Sequence, residues 1–173
     1  MTDDTVILEG ALAELDNWPR AECPIDAALS VVSTRSAMLI VREAYYGARR
    51  FEDFVARVGI TEAVAAARLR ELTDAGLLRR ETYQEPGQRT RQGYRLTQMG
   101  LDLFPALIAL AQWGDKYLAG PAGPPLLWRH ADCGEPVAAE VRCAAGHQVP
   151  VGELSVRAAP RKRRATSARR TSC

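Results

Sequence analysis

Residues 50–96, RFEDFVARVGITEAVAAARLRELTDAGLLRRETYQEPGQRTRQGYRL, constrain this chain more than any other stretch. Phe51, Phe54, Val55 and Val58 fall at i, i+3, i+4 and i+7, which predicts a helix from Arg50 to about Arg57 with one apolar face. Gly59 stops it and Ile60 plugs the turn. Thr61 stands where a helix N-cap is wanted, with Glu62 beside the positive end of the next helix dipole. That second helix should run to about Ala75. Its helical spacing gathers Ala65, Leu69, Leu72 and Gly76 on one side and turns Ala63, Ala67, Arg70 and Asp74 the other way. Gly76 is placed as a C-cap glycine, and Leu77, Leu78 and Tyr83 open a strand. The strand turns at Glu85, Pro86, Gly87 and Gln88, and its return runs from Arg91 to Leu96.

Two short helices around a tight turn, followed by a hairpin, is the order of a winged helix-turn-helix. Duplex DNA is then the first partner to consider: an exposed helix fits the major groove, and Arg89 and Arg91 at the hairpin tip meet phosphates. The groove-facing positions would be Thr61, Glu62, Ala63, Ala66, Ala67 and Arg70. Alanines can touch thymine methyls, and Arg70 could bind guanine or a phosphate, so base-specific contacts should be few and affinity should lean on Arg89 and Arg91.

Further pieces fall in register around this stretch. They are Cys23-Pro24-Ile25, Arg50-Phe51-Glu52-Asp53-Phe54, Ile60-Thr61, Arg68-Leu69-Arg70-Glu71-Leu72, Ala75-Gly76-Leu77, Tyr94-Arg95-Leu96-Thr97 with Gly100, and Leu110-Ala111-Gln112-Trp113-Gly114. In order and spacing they resemble the HxlR-type (MarR-like) winged helix-turn-helix transcriptional regulators, over residues 21 to about 119. The resemblance implies a homodimeric DNA-binding regulator from a bacterium or archaeon, often responsive to electrophiles or redox state through a cysteine near the N-terminus, here Cys23. The chain departs from the family at Ser33-Thr34-Arg35-Ser36, where a glycine, a lysine and a tryptophan are usual; Arg35 keeps the positive charge but the tryptophan's packing is gone.

Cys23 also has a reading of its own. Pro24 suits the first position of a helix whose stripe is Ile25, Ala28, Leu29 and Val32, so the sulfur lies near a helix N-terminus that favours thiolate. It is either an oxidant sensor or a small packing residue. Met38, Leu39, Val41, Arg42 and Tyr45 continue as a helix to Gly47. After the hairpin, Thr97 caps a long helix carrying Leu101, Phe104, Leu107, Ile108, Ala111 and Leu118, which Pro105 should kink unless the helix begins again there. In the family this helix pairs with its copy in the partner. Upstream, Leu8, Leu12, Leu15 and Trp18 predict an N-terminal helix over residues 5–18 that packs on its own domain or serves as a dimerisation arm.

The sequence GPAGPP at 120–125 reads as a linker. Beyond it, His130-x-x-Cys133-Gly134 and Cys143-x-x-x-His147 hold both histidines and two of the four cysteines. Two thiolates and two imidazoles could make a tetrahedral Zn2+ site, with Val137 to Val141 as a strand between the knuckles; the alternative is a small β-hairpin without metal. No recognisable nucleophile or phosphate loop supports catalysis, and Glu135 or Glu140 as a general base has no defined pocket, so the chain reads as no enzyme.

Charge separates the body from the tail. Residues 161–173 hold six Lys or Arg and no acid, which leaves 17 basic and 21 acidic side chains elsewhere. A body near −4 must concentrate its positive potential locally to hold DNA, while the tail could add phosphate contacts and steepen the salt slope by about 5. Cys173 in that tail is read as a bystander. No run of 18 apolar residues occurs, and Asp3, Asp4 and Glu9 do not suit a signal peptide, so a cytoplasmic, nucleoid-associated protein is expected.

The resulting expectation is a mainly α protein with a small β-wing and a β-rich, zinc-ribbon-like extension. Its parts are an N-terminal helical extension (1–20), the winged helix-turn-helix domain (21–119), a linker (120–125), the Cys/His module (126–157) and a basic disordered tail (158–173). The function expected is that of a homodimeric regulator, a repressor on an inverted-repeat operator, with a small molecule or oxidant as effector. A degenerate winged helix used as a protein-interaction module, binding DNA only nonspecifically, is the competing reading.

Overall fold

The computed structural model describes residues 5–14, 23–84 and 90–159. In chain order the elements are β1 (Ile7–Leu8), α1 (Pro24–Val32), α2 (Arg35–Tyr45), α3 (Phe51–Val58), α4 (Glu62–Asp74), β2 (Leu78–Tyr83), β3 (Arg91–Leu96), α5 (Gln98–Asp102), α6 (Phe104–Leu118) and β4 (Ser155–Val156). They fall into two compact units, one of residues 22–140 and one formed by the segments up to residue 21 and from residue 141 onward. This division cuts through the stretch 126–157 that was expected to form a module of its own.

In the larger unit the apolar stripes meet as their spacing requires. Ile40 and Val41 of α2, Phe54 of α3, Leu69 and Leu72 of α4 and Leu78 of β2 are the largest fully buried side chains. Thr34 explains the departure at 33–36: its hydroxyl accepts from the Ala37 N–H at 3.1 Å and starts α2. Gly59, at φ 69°, ends α3 with its N–H on the Val55 carbonyl. β2 and β3 form an antiparallel pair in which Leu78 faces Leu96 and Tyr83 faces Arg91. The Tyr94 N–H donates to the Arg49 carbonyl at 2.9 Å, and the Tyr94 ring stands edge-on to Phe54, which seats the hairpin on the helical core.

The helix after the hairpin breaks in two. Pro105 has no N–H with which to reach the Leu101 carbonyl, and the Tyr45 hydroxyl takes its place at 3.2 Å while also donating to the Gly100 carbonyl. Helix α6 then begins afresh at Phe104, with Pro105 in its first turn. Gly100 itself is buried against Leu77 and Leu96: a Cβ there would collide with the Leu77 carbonyl oxygen and lie 2.9 Å from Leu96.

The N-terminal expectation does not hold where the residues are described. Residues 5–14 contain β1 and a short 3-10 turn, Gly10–Ala13, in place of an α-helix. Pairing with β4 overrides the helical spacing, since the Ile7 and Glu9 N–H groups donate to the Leu154 and Val156 carbonyls at 2.8 and 2.9 Å. Leu15, Trp18 and the tail from residue 160 lie outside the described residues.

Gly100→Ala should therefore lower stability by about 1–3 kcal/mol, because the added methyl meets rigid backbone. Tyr45→Phe should cost about 1 kcal/mol through the side-chain hydrogen bonds lost to the Gly100 and Leu101 carbonyls. Burial, and then the negative charge of Asp102, raise the Tyr45 phenol above its ordinary 10.0. The neutral phenol's contribution is complete below pH 10.0 and is lost as pH rises beyond it, so the gap between wild type and Tyr45→Phe should narrow in alkaline solution. Urea denaturation across that range measures both effects.

Candidate nucleic-acid interface

Helix α4 presents the surface that its spacing predicts. Thr61 accepts from the Val64 N–H at 3.3 Å and fixes the first turn, while Ala65, Leu69 and Leu72 hold the opposite side in the core. Thr61, Glu62, Ala63, Ala66 and Arg70 are exposed, and Ala67 is half-buried beside them. Val64 is also exposed, so the surface is more apolar than expected. Arg68 is tied to Glu71 one turn along, whereas Arg70 has no ion-pair partner among the described residues.

The hairpin carries more arginine than its tip. Arg91 is exposed at the start of β3; Arg89 and the turn at 85–88 lie outside the described residues. Arg79 and Arg95 stand directly opposite each other across the ladder, where two like charges repel. Glu81, two residues along on the same face, forms an ion pair with Arg95 and lies 3.5 Å from Arg79, so one carboxylate is shared between two guanidiniums and offsets half of their charge. Arg80 is exposed and unpaired among the described residues. The period of two along the strand and its register could have revealed this group once the turn was placed.

Cys23 is a free thiol, half exposed, at the N-cap of the nine-residue α1, and its carbonyl accepts from the Ala27 N–H at 3.0 Å. No residue of α1 is buried; Ile25 is 68% and Leu29 50% exposed. Leu110, Trp113, Tyr117 and Leu118 of α6 are exposed as well.

The Cys/His segments form two turns. In the larger unit His130 Nδ1 lies 3.2 Å from the Cys133 sulfur, and Arg129 donates to the Gly134 carbonyl. In the smaller unit the Cys143 N–H donates to the His147 carbonyl, the Gly146 N–H to the Cys143 carbonyl, and Arg142 to the Gly146 carbonyl. Gly146 thus holds the place of Gly134 in the first turn, each at positive φ with its N–H on the carbonyl of the turn's first residue and its own carbonyl taking an arginine. Among the described residues no three His, Cys, Asp or Glu side chains are grouped to hold a metal ion. Nor is the segment 137–141 a strand. The Gln112 amide donates to the Val137 carbonyl at 2.6 Å and accepts from the Ala139 N–H at 2.9 Å, supplying from α6 the bonds a neighbouring strand would give.

A buried trihelical core, an exposed helix held by a capped turn and an arginine-bearing hairpin beside it define a winged helix-turn-helix DNA-binding protein. The chain belongs to the HxlR-like helix-turn-helix family, whose profile matches residues 31–121. It is 44% identical over 111 residues to the uncharacterized HTH-type transcriptional regulator Rv3095 of Mycobacterium tuberculosis, covering 64% of this chain and 69% of that one. The crystal structure of PA1607 superposes with a TM-score of 0.71 at 34% identity, over 79% of this chain and 95% of its own. The redox regulator HypR in its oxidized form gives 0.50 at 26% identity, over 57% and 100%. The family is one of DNA-binding transcriptional regulators, not enzymes, and no single helix among the described residues is long and apolar enough to cross a membrane.

Glu81→Gln should release Arg79 and Arg95 and remove a negative charge from the hairpin. Affinity for random duplex should rise several-fold at low salt, with the slope of log K against log salt steeper by about 1–2 at roughly 0.9 per phosphate. Fluorescence anisotropy over a salt series measures both; an unchanged slope would mean that these arginines do not meet phosphate.

Proposed function

We propose that this protein is a homodimeric repressor that binds an inverted-repeat operator in the cytoplasm, with α4 in the major groove and the β2–β3 hairpin on the flanking backbone. The observation that carries the reading is the exposed face Ala63, Ala66 and Arg70 on a helix whose other side is locked in the core. Alanines at the groove accept thymine methyls, and one unpaired arginine supplies the polar readout.

Dimerisation is supported by the apolar side chains that the larger unit leaves uncovered. Ile25 and Leu29 of α1 and Leu110, Trp113 and Leu118 of α6 are more than a single domain of this size usually exposes together, and a cavity of about 270 Å3 lies beside α1 between Ala28, Val32, Leu77, Met99 and Leu103. A two-fold pairing through these faces would set two α4 helices about one DNA turn, or a small multiple, apart. Seated on a promoter, such a dimer excludes polymerase.

Oxidants are the proposed effector class. The half-exposed Cys23 thiol stands at the N-terminus of the uncovered α1, and the family likeness extends to a regulator described as redox-responsive. Modification at Cys23 would then alter the pairing of α1.

In a mobility-shift assay against sequences selected from random DNA, Arg70→Ala should bring operator affinity within about tenfold of random-sequence affinity, whereas Arg91→Ala should weaken both alike. Equal losses for both variants on both DNAs would contradict the division of roles, and sequence-blind binding by the wild type would point to an interaction module. Diamide should release the wild type from its operator and leave Cys23→Ser bound; release of both would place the response elsewhere.

A further inference from the structure

The segment after the linker carries a histidine–cysteine pair that takes no part in the helical core or in the α4 surface. His130 Nδ1 lies 3.2 Å from the Cys133 sulfur, and both residues are exposed. The Cys133 N–H also donates to Nδ1, at 3.5 Å, so this nitrogen presents its lone pair to the inside of the turn. Packing does not explain the pairing, since neither residue belongs to the buried core or to the side chains packed against it. Nor does the backbone need it. The His130 N–H donates to the Glu135 carbonyl and the Gly134 N–H to the His130 carbonyl, each at 2.9 Å, and Arg129 donates to the Gly134 carbonyl.

The turn is also held in place. The Val137 N–H donates to the Trp128 carbonyl at 3.0 Å, Arg129 and Pro136 form an antiparallel bridge at its base, and the Trp128 ring stacks on Tyr46. Gln112 fastens the continuation of the segment to α6 through Val137 and Ala139. A nitrogen and a sulfur donor are thus brought together on a placed turn before any ion arrives. Asp132 and Glu135 on the same turn outnumber Arg129, so the local field favours a cation.

The donor set and its spacing select the ion. A thiolate with an imidazole suits zinc or copper, whereas Mg2+ and Ca2+ take oxygen ligands. Zinc bonds of about 2.3 Å to sulfur and about 2.0–2.1 Å to nitrogen put the two donors roughly 3.5 Å apart at a tetrahedral angle, and a linear two-coordinate ion would need roughly 4.3 Å. The observed 3.2 Å is close to the first separation and far short of the second.

We infer that His130 Nδ1 and Cys133 Sγ chelate one Zn2+ at this turn, the two remaining tetrahedral positions being filled from outside it. Binding replaces the thiol proton: the S–H bond breaks, the sulfur keeps the electron pair and donates it to the ion, and the proton passes to solvent. Zn2+ has no redox chemistry of its own, so the step needs no oxidant or reductant.

Titration of the chelator-treated full-length protein with Co2+, a spectroscopic substitute for Zn2+, tests the site. A thiolate-to-cobalt charge-transfer band that saturates at one equivalent per chain is expected, and Zn2+ should displace the Co2+ and abolish the band. Cys133→Ser should remove the band, His130→Ala should weaken Co2+ at least about tenfold, and Cys23→Ser should leave the titration unchanged. The wild type supplies a second reading that needs no variant. Zn2+ at about ten times its Kd leaves roughly a tenth of the thiol free, so alkylation of Cys133, followed by peptide mass, should slow about tenfold. Absence of the band at saturating Co2+ would overturn the assignment. So would a band that survives Cys133→Ser, an affinity that a folded His130→Ala leaves unchanged, or Cys133 alkylation indifferent to Zn2+; if a variant fails to fold, the alkylation rate of the wild type decides.

Discussion

The Leu77 carbonyl is the point through which α4 and the β2–β3 hairpin are joined. It accepts from the Thr97 N–H at 3.0 Å and from the Thr97 hydroxyl at 3.3 Å, and the same hydroxyl reaches the Gly76 carbonyl at 2.5 Å. The Gly100 N–H donates back to the Thr97 hydroxyl, and Gly100 lies so close to Leu77 that no side chain fits. On the other side, the Leu77 N–H donates to the Leu72 carbonyl at the end of α4. One residue pair thus fixes the end of α4, the base of both strands and the start of α5. On the proposed mode of binding, groove contact by α4 and backbone contact by the hairpin would depend on that fixed angle, because two rigid elements gain affinity together only if their separation matches the duplex.

Around this joint the electrostatics are local. The chain outside its basic tail is slightly acidic, yet Arg70, Arg80 and Arg91 are exposed and unpaired among the described residues, while Arg79 and Arg95 share Glu81. The shared carboxylate relieves a repulsion that the strand register imposes and moderates the positive potential of the hairpin at the same time. On the proposed mode of binding, sequence preference would have few sources: a short alanine surface, one arginine, and the shape the duplex must take to meet the hairpin.

Legibility followed the range of the forces involved. Helix α4's buried and exposed sides, the Thr61 cap, the Gly59 stop and the β3 bounds could be read from spacing, because each is decided within a few residues. The break at Leu103 was half legible: Pro105 announces a lost N–H, but only the fold reveals that Tyr45, far earlier in the chain, takes the freed carbonyls. The helical spacing at residues 5–14 misled, since pairing with Ser155–Val156 outweighed a weak local preference. The Cys/His spacing corresponds in the structure to two short turns, each closed by its own backbone hydrogen bonds.

The sequence by itself determined the class of this protein and the direction its reading helix faces, because amphipathic period, caps and turn glycines act over one or two turns of chain. Tertiary structure alone decided which arginines are free and which are paired, since ladder register set Arg79 against Arg95 and brought Glu81 within reach of both. It alone also stacked the Trp128 ring on Tyr46. Those contacts join residues separated by a linker and several elements, and no local periodicity records where a chain will return.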